Sequence, residues 1–217
     1  MKYKLVCFDV DGTLVDNVVY SWELFHNYFQ VDMARRETVR KQYYNGEIDY
    51  LQWALHDMGM WMEKGATKND FFKAMRNLKL MNGAMETITT LKNNGTKLAI
   101  ISGSLDIILE KVLSNYKELF DDVFLSFLIF DDKGKLVDAK VTQYDMMKKA
   151  DALRKIAKRE RIDLRETVHI GDHHNDLEIA KIAGLSIAFD CKDDELRKTA
   201  KVVIDEKDLR EVLKYIL

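Results

Sequence analysis

Asp9 and Asp11 stand two residues apart at the end of an apolar run, and this pair is the first place where the sequence could do chemistry. Two carboxylates at the end of a buried strand cannot both stay ionised in a partly dry crevice without compensation. A hard divalent cation is the usual compensation; Mg²⁺ takes oxygen ligands and commonly brings a phosphate with it. Gly12-Thr13 follows at once, and a glycine there lets the chain turn tightly and aim backbone N–H groups at an anion. A D-x-D pair alone also describes a solvated turn. The buried strand before it and Gly12-Thr13-Leu14 after it favour the reactive reading. Three further clusters have matching chemistry: Ser102-Gly103, the adjacent Lys148 and Lys149, and Gly171-Asp172-His173-His174-Asn175-Asp176. Neighbouring residues on a helix point about 100° apart, so only one of the two lysines can face a site. Asp131, Asp132, Asp193 and Asp194 read instead as turn or cap residues.

These residues need elements to position them. Residues 5–8 are continuously apolar and read as a strand buried on both faces. Strands are expected at 97–101, 122–130, 167–170, 185–189 and 201–204, with a turn at 131–135 and a return strand from 136. Between them the spacing predicts helices at 84–93 (stopped by Gly95), from about 104, at 145–160, 175–183, 194–199 and 207–215. Met147, Ala150, Leu153 and Ala157 would share one face of the 145–160 helix. Such alternation implies parallel strands joined by crossover helices, an α/β sheet covered on both faces. Ligands then sit beyond the carboxyl ends of the strands. Three of those ends carry Asp9 and Asp11, Ser102, and Asp172. From about Asn17 to Leu80 the pattern is helical and polar, with 12 of the 22 aromatic residues and all three Trp. This stretch reads as a helical insert with breaks at Met58-Gly59 and Lys64-Gly65.

Phe8-Asp9-Val10-Asp11-Gly12-Thr13-Leu14-Val15 resembles the first motif of the haloacid dehalogenase-like (HAD) phosphatases. Ile100-Ile101-Ser102-Gly103, Lys149 and the Gly171–Asp176 cluster are similar to the later motifs, in the order and spacing of the phosphoserine phosphatase branch. The resemblance implies a Rossmann-like α/β core with a parallel sheet (residues 1–16 and 81–217) and a small helical cap of the C1 type inserted after the first strand (17–80). It implies Mg²⁺-dependent hydrolysis of a small phosphomonoester through an aspartyl-phosphate intermediate. Asp9 would be the nucleophile and Asp11 the general acid and base. Asp9, the backbone carbonyl of Asp11, and Asp172 would hold Mg²⁺. Ser102, Lys149, Asn175 and the N–H groups of Gly12 and Gly103 would bind the phosphoryl oxygens, with Asp176 holding Lys149. Lys149, 23 residues before Asp172, matches the family's lysine better than Lys148 or the distant Lys140. His173 stands where the family commonly has Gly, so it would narrow the crevice or touch the leaving group. A phosphotransferase using the same phosphorylated Asp, or a phospho-acceptor signalling module, are the competing functions.

Phosphoserine-using relatives place a Glu just after the first motif and an Arg in the cap; this chain aligns Val18 and Asp57 there. An Arg that grips a carboxylate as a fork is not replaced by an Asp, so phosphoserine is a doubtful substrate unless Arg35, Arg36 or Arg40 substitutes. Trp22, Tyr43, Tyr44, Tyr50, Trp53 and Trp61 suggest either a larger, apolar phosphomonoester or simply a packed core for the insert. A shared aromatic face could also make a homodimer through the cap.

The chain's 217 residues, 47% hydrophobic and with only two Cys, exclude a disordered chain and a disulfide scaffold. A net charge of −2 argues against a nucleic-acid surface, and no apolar run approaches the roughly 20 residues of a membrane span. Asp9 and Asp11 interrupt the N-terminal apolar stretch, so it is not expected to act as a signal peptide. The expectation is a cytoplasmic protein with Cys7 and Cys191 reduced.

Overall fold

The computed structural model describes residues 2–217. Its elements run β1 (Leu5–Phe8), β2 (Val15–Asp16), α1 (Ser21–Phe29), α2 (Met33–Tyr44), α3 (Tyr50–Glu63), α4 (Lys68–Ala74), β3 (Lys79–Leu80), α5 (Ala84–Asn93), β4 (Lys97–Leu105), α6 (Asp106–Val112), α7 (Tyr116–Leu119), β5 (Asp122–Phe130) and β6 (Leu136–Lys140). They continue with α8 (Lys149–Glu160), β7 (Thr167–Gly171), α9 (Leu177–Ile182), β8 (Leu185–Phe189), α10 (Asp194–Thr199), β9 (Val202–Ile204) and α11 (Leu213–Ile216).

Seven strands form one sheet in the order β6-β5-β4-β1-β7-β8-β9. All neighbours are parallel except β5 and β6, the hairpin expected around 131–135. Strand β1 lies in the middle, with Phe8 opposite Ile100 on one side and Ile170 on the other. Its apolar run is continuous because both faces are covered. Val6 and Phe8 pack into the layer holding Ile88, Leu91, Ile108 and Val212, while Leu5 and Cys7 pack against Ala152, Leu153, Ile156 and Ile179 of α8 and α9. From β1 the chain passes to β4, β5 and β6 on one side and then crosses to β7, β8 and β9 on the other, and crevices form at such a switch point.

The four helices α1–α4 lie between β2 and β3, which pair as a two-residue antiparallel ribbon. Helix α3 runs unbroken through Met58-Gly59, contrary to the break expected there. A glycine inside a helix costs only about 1 kcal/mol. Burying Met58, Met60 and Trp61 outweighs this, at roughly 1.5–3 kcal/mol for a large side chain. The chain instead turns at Gly46, and the break at Lys64-Gly65 is present. Strand β4 extends past residue 101 to Leu105, with a register shift against β5 between Ile101 and Leu105. Helix α8 begins only at Lys149, after a 3₁₀ turn over Met146–Lys148. Met147 therefore misses the packed face and is 62% exposed. The last expected helix is a 3₁₀ turn (Leu209–Val212) followed by α11. No helix among the described residues is long and apolar enough to cross a membrane.

Candidate active site

Asp9 follows β1 directly, and its N–H donates to the Ile170 carbonyl of β7 at 3.0 Å. This places its carboxylate at the mouth of the sheet. Lys149, the first residue of α8, is fully buried beneath it. Its ammonium donates to Asp9 Oδ1 at 2.6 Å and to Asp176 Oδ1 at 2.7 Å. Lys148 and Lys140 are both exposed. Asp176 is saturated: Oδ1 also meets His169 Nε2 at 3.0 Å, and Oδ2 accepts the N–H groups of Asp172 and His173 at 3.1 and 3.3 Å. Burial pushes the Asp176 carboxyl up, but Lys149 and His169 outweigh it and hold it below the usual carboxylate range. Burial alone would lower the Lys149 ammonium, yet Asp176 and Asp9 keep it protonated. Burial also pushes Asp9 up, to about 7, against the pull of Lys149.

Asp11 is held by the cap. Its Oδ2 accepts the N–H of Ser21, the first residue of α1, at 2.7 Å, and its Oδ1 accepts the Ser104 hydroxyl at 2.8 Å. Burial pushes this carboxyl up as well, which suits a group that must carry a proton. Gly12 adopts φ +72°, and a Cβ there would stand 2.2 Å from Asp172 Oδ2. Only glycine permits that approach.

One oxygen from each of Asp9, Asp172 and Asp176 lies within 4.8 Å of the others. Asp176 is taken by its four donors, so Asp9 and Asp172 are the carboxylates left for a cation. The Asp172 carboxylate accepts no hydrogen bond among the described residues. Burial and the charges of Asp9 and Asp176 push it well above its ordinary value. A buried carboxylate without donors, crowded by two others, fits a divalent cation and little else.

The chain matches a family model described as haloacid dehalogenase-like hydrolase over residues 3–184. It belongs to that hydrolase family. Within it, this hydrolase falls in the phosphoserine phosphatase-like branch. It is 36% identical over 226 residues to a phosphoserine phosphatase of Methanocaldococcus jannaschii, covering 99% of this chain and 98% of that one. Two solved structures match it over the full length of both chains. One is a phospho-aspartyl intermediate analogue of phosphoserine phosphatase (35% identity, TM-score 0.76). The other is a substrate-bound phosphoserine phosphatase complex (34% identity, TM-score 0.75).

The remaining expected residues of this HAD hydrolase gather around the same cavity, of about 370 Å³, lined by Asp9, Asp11, Ser102, Gly103, Asp172, His173 and Asn175. Ser102 Oγ accepts the N–H of Ser104 at 3.1 Å. Asn175 donates to Asp145 Oδ1 at 3.1 Å. His173 lines the cavity and packs against Tyr20, their ring centroids 4.7 Å apart.

Sequence reasoning missed four contributors. Asp145 accepts from Tyr50 of the cap at 2.8 Å as well as from Asn175, and it stands so close over Gly103 that a Cβ there would be 1.9 Å from its Oδ2. It lies in an irregular segment with no period to betray it. Ser104 and Ser21 anchor Asp11, and the Ser-Gly-Ser spacing was the available hint. His169 sits alone among apolar strand residues, seven before Asp176, a spacing that could have suggested a partner.

Proposed function

We propose that this enzyme hydrolyses a small phosphomonoester through a phosphorylated Asp9. The observation that carries the reading is the fully buried Lys149 bridging Asp9 and Asp176, with Asp11 anchored beside them at the floor of the cavity. An Asp9 oxygen attacks phosphorus, and the bond to the leaving oxygen breaks. Asp11 gives that oxygen its proton, then takes one from the water that attacks the phosphorylated Asp9. Lys149, Ser102, Asn175 and the N–H groups of Gly12 and Gly103 bind the phosphoryl oxygens, whose charge must be stabilised during transfer. Asp176 positions Lys149. Asp9, the Asp11 backbone carbonyl and Asp172 would hold Mg²⁺, which when bound shields the repulsion between a carboxylate nucleophile and an anionic phosphate.

Phosphate release from a panel of phosphorylated metabolites tests the reading. Activity with Mg²⁺ should vanish on chelation and return when Mg²⁺ is added back. Full activity in the chelator would remove the metal from the proposal. A general base beside the nucleophile disfavours a signalling module, which must keep its phosphate. Asp11→Asn should slow steady-state turnover by roughly 10²–10⁴-fold, because neither proton transfer has a partner. Intact-mass measurement after mixing with substrate should then find protein carrying one extra phosphoryl group. Unchanged turnover would take the acid–base role from Asp11.

The same reading divides the chain into a core (1–16 and 81–217) and a cap (17–80), with the β2–β3 ribbon at the seam. A cytoplasmic location is supported by the two free cysteines, Cys7 and Cys191, both buried. Leu51 and Leu55, exposed one turn apart on α3, are the apolar surface a second copy would use on the cap.

A further inference from the structure

The cavity that holds Asp9 continues into the cap, whose aromatic residues fall into two groups. Phe25, Trp61 and Phe71 are fully buried and pack on one another, with Phe25 and Phe71 centroids 4.7 Å apart and Trp61 and Phe71 5.7 Å apart. Trp61 donates its indole N–H to His26 Nδ1 at 3.0 Å, so His26 presents Nε2–H to Asp57, also at 3.0 Å. This group is the cap's own core.

Tyr43, Tyr44, Tyr50 and Trp53 stand outside it. Tyr43 stacks on Trp53 at 5.0 Å and 29°, and Tyr44 and Tyr50 each pack against Trp53 at 6.2 Å. Tyr44, Tyr50 and Trp53 line the cavity together with Trp22. A need for core packing accounts for the first group and leaves this wall unexplained.

Two polar groups on the wall lack partners among the described residues. Trp53 Nε1 is one, but it is closed to solvent and so out of a ligand's reach. Arg36 gives its Nε to Asp57 at 3.1 Å, while its two terminal nitrogens have no partner among the described residues and the side chain lines the cavity. A guanidinium is a donor only, so the free end of Arg36 calls for an oxygen acceptor on the ligand. Val18 packs against the hydrophobic core and takes no part in the cavity lining. At about 370 Å³ the cavity is within the range of roughly 300–1,000 Å³ that encloses ligands of drug size.

We propose that the leaving group of this enzyme's substrate is a flat, aromatic alcohol bearing a carboxylate, its ring held among Trp22, Tyr50 and Trp53 and its carboxylate on Arg36. This rests on Asp9 acting as the phosphatase nucleophile. In the first step the new bond joins phosphorus to an Asp9 oxygen. The bond from phosphorus to the alcohol oxygen breaks with its electron pair, and the Asp11 proton goes to that oxygen. Glu23, also on the cavity, would favour an ammonium-bearing leaving group instead, so phosphoserine is the competing occupant.

Three esters of alkyl alcohols separate these cases: 4-carboxybenzyl phosphate, benzyl phosphate and O-phospho-L-serine, followed by phosphate release with Mg²⁺. The expected kcat/KM for 4-carboxybenzyl phosphate exceeds that for phosphoserine by about tenfold or more. Trp53→Ala should cut that ratio about tenfold, and Arg36→Gln should bring 4-carboxybenzyl and benzyl phosphate to about equal kcat/KM. Ratios within one variant are immune to partial unfolding, because both substrates see the same active fraction. Phosphoserine turning over faster than both benzyl esters overturns the inference and leaves the phosphatase intact. So does a ratio that Trp53→Ala does not move. Release of phosphate from none of the three, with other phosphomonoesters also inert, would overturn the phosphatase reading itself.

Discussion

Asp9→Asn leaves a folded protein without measurable turnover. The amide cannot form the acyl phosphate, and no other carboxylate can take its place. Asp11 is tied to Ser21 and Ser104, Asp172 faces the side where the cation fits, and Asp176 is saturated by four donors. Loss of a covalent nucleophile costs on the order of 10⁴-fold or more, because the residual rate comes only from binding and electrostatics. The fold should survive. Asn presents an oxygen to Lys149 in place of Asp9 Oδ1, and Asp176 still neutralises the ammonium. Burial already disfavours the ionised form of Asp9, so replacing it by a neutral isostere removes a cost and adds none that is comparable. Thermal unfolding of the metal-free variant should therefore occur at or above the wild-type midpoint. Phosphate release assayed alongside should fall by at least the same factor of about 10⁴. Turnover near the wild-type level in this variant would place the nucleophile elsewhere.

What the sequence made legible was the part written in continuous runs and in local motifs. Leu5–Phe8 appears where the apolar run places it, because a strand buried on both faces has no polar position to blur its ends; Asp122–Phe130 and Leu185–Phe189 also lie where expected. A helix allows only one of two neighbours to face inward, and it was the spacing to Asp172, matched to the resembling family, that chose Lys149 over Lys148. Features set by tertiary contact were harder. Gly59 signals a break, but the packing of Met58, Met60 and Trp61 decides otherwise. The β2–β3 ribbon has two residues a side, too short to show a period of two. The pairing of Arg36, Asp57 and His26 links three different helices, and no local pattern encodes it. Asp57, which the sequence reading aligned with the substrate-binding Arg of phosphoserine-using relatives, is buried. Burial pushes its carboxyl up, but His26 and Arg36 outweigh that and keep it ionised. The arginine it holds lines the cavity from another helix, where under the proposed reading it would supply the cationic group facing the leaving group.

Lys149→Met should be the most destabilising single change at the site, and its pH dependence should show why. Among the described residues the side chain carries the one ammonium within hydrogen-bonding reach of Asp9 and Asp176, both of which are buried. Removing one partner of a buried ion pair typically costs about 3–5 kcal/mol, since the charge left behind has neither water nor a counter-ion. For a chain of this size that lowers the unfolding midpoint by roughly 6–20 °C. The sign of the pH effect follows from the two folded-state carboxyls. In the wild type Asp176 titrates below its unfolded value, so its contribution is present at neutral pH and is lost as the pH falls below about 4. Without Lys149, burial raises Asp176 and raises Asp9 further, and groups raised in the folded state favour folding most when protonated. The gap between wild type and variant should thus be widest near pH 7 and narrow as the pH falls towards about 4. A gap that stays constant over that interval would mean the lysine contributes packing alone. Activity should also fall by roughly 10²–10³-fold when measured well below the variant's midpoint, since the phosphoryl oxygens lose a cation as their charge develops. Lys149→Arg keeps the charge but forces a planar fork into a fully buried slot shaped for an ammonium. It should recover more stability than activity, separating the structural demand for a cation from the geometric demand for this one.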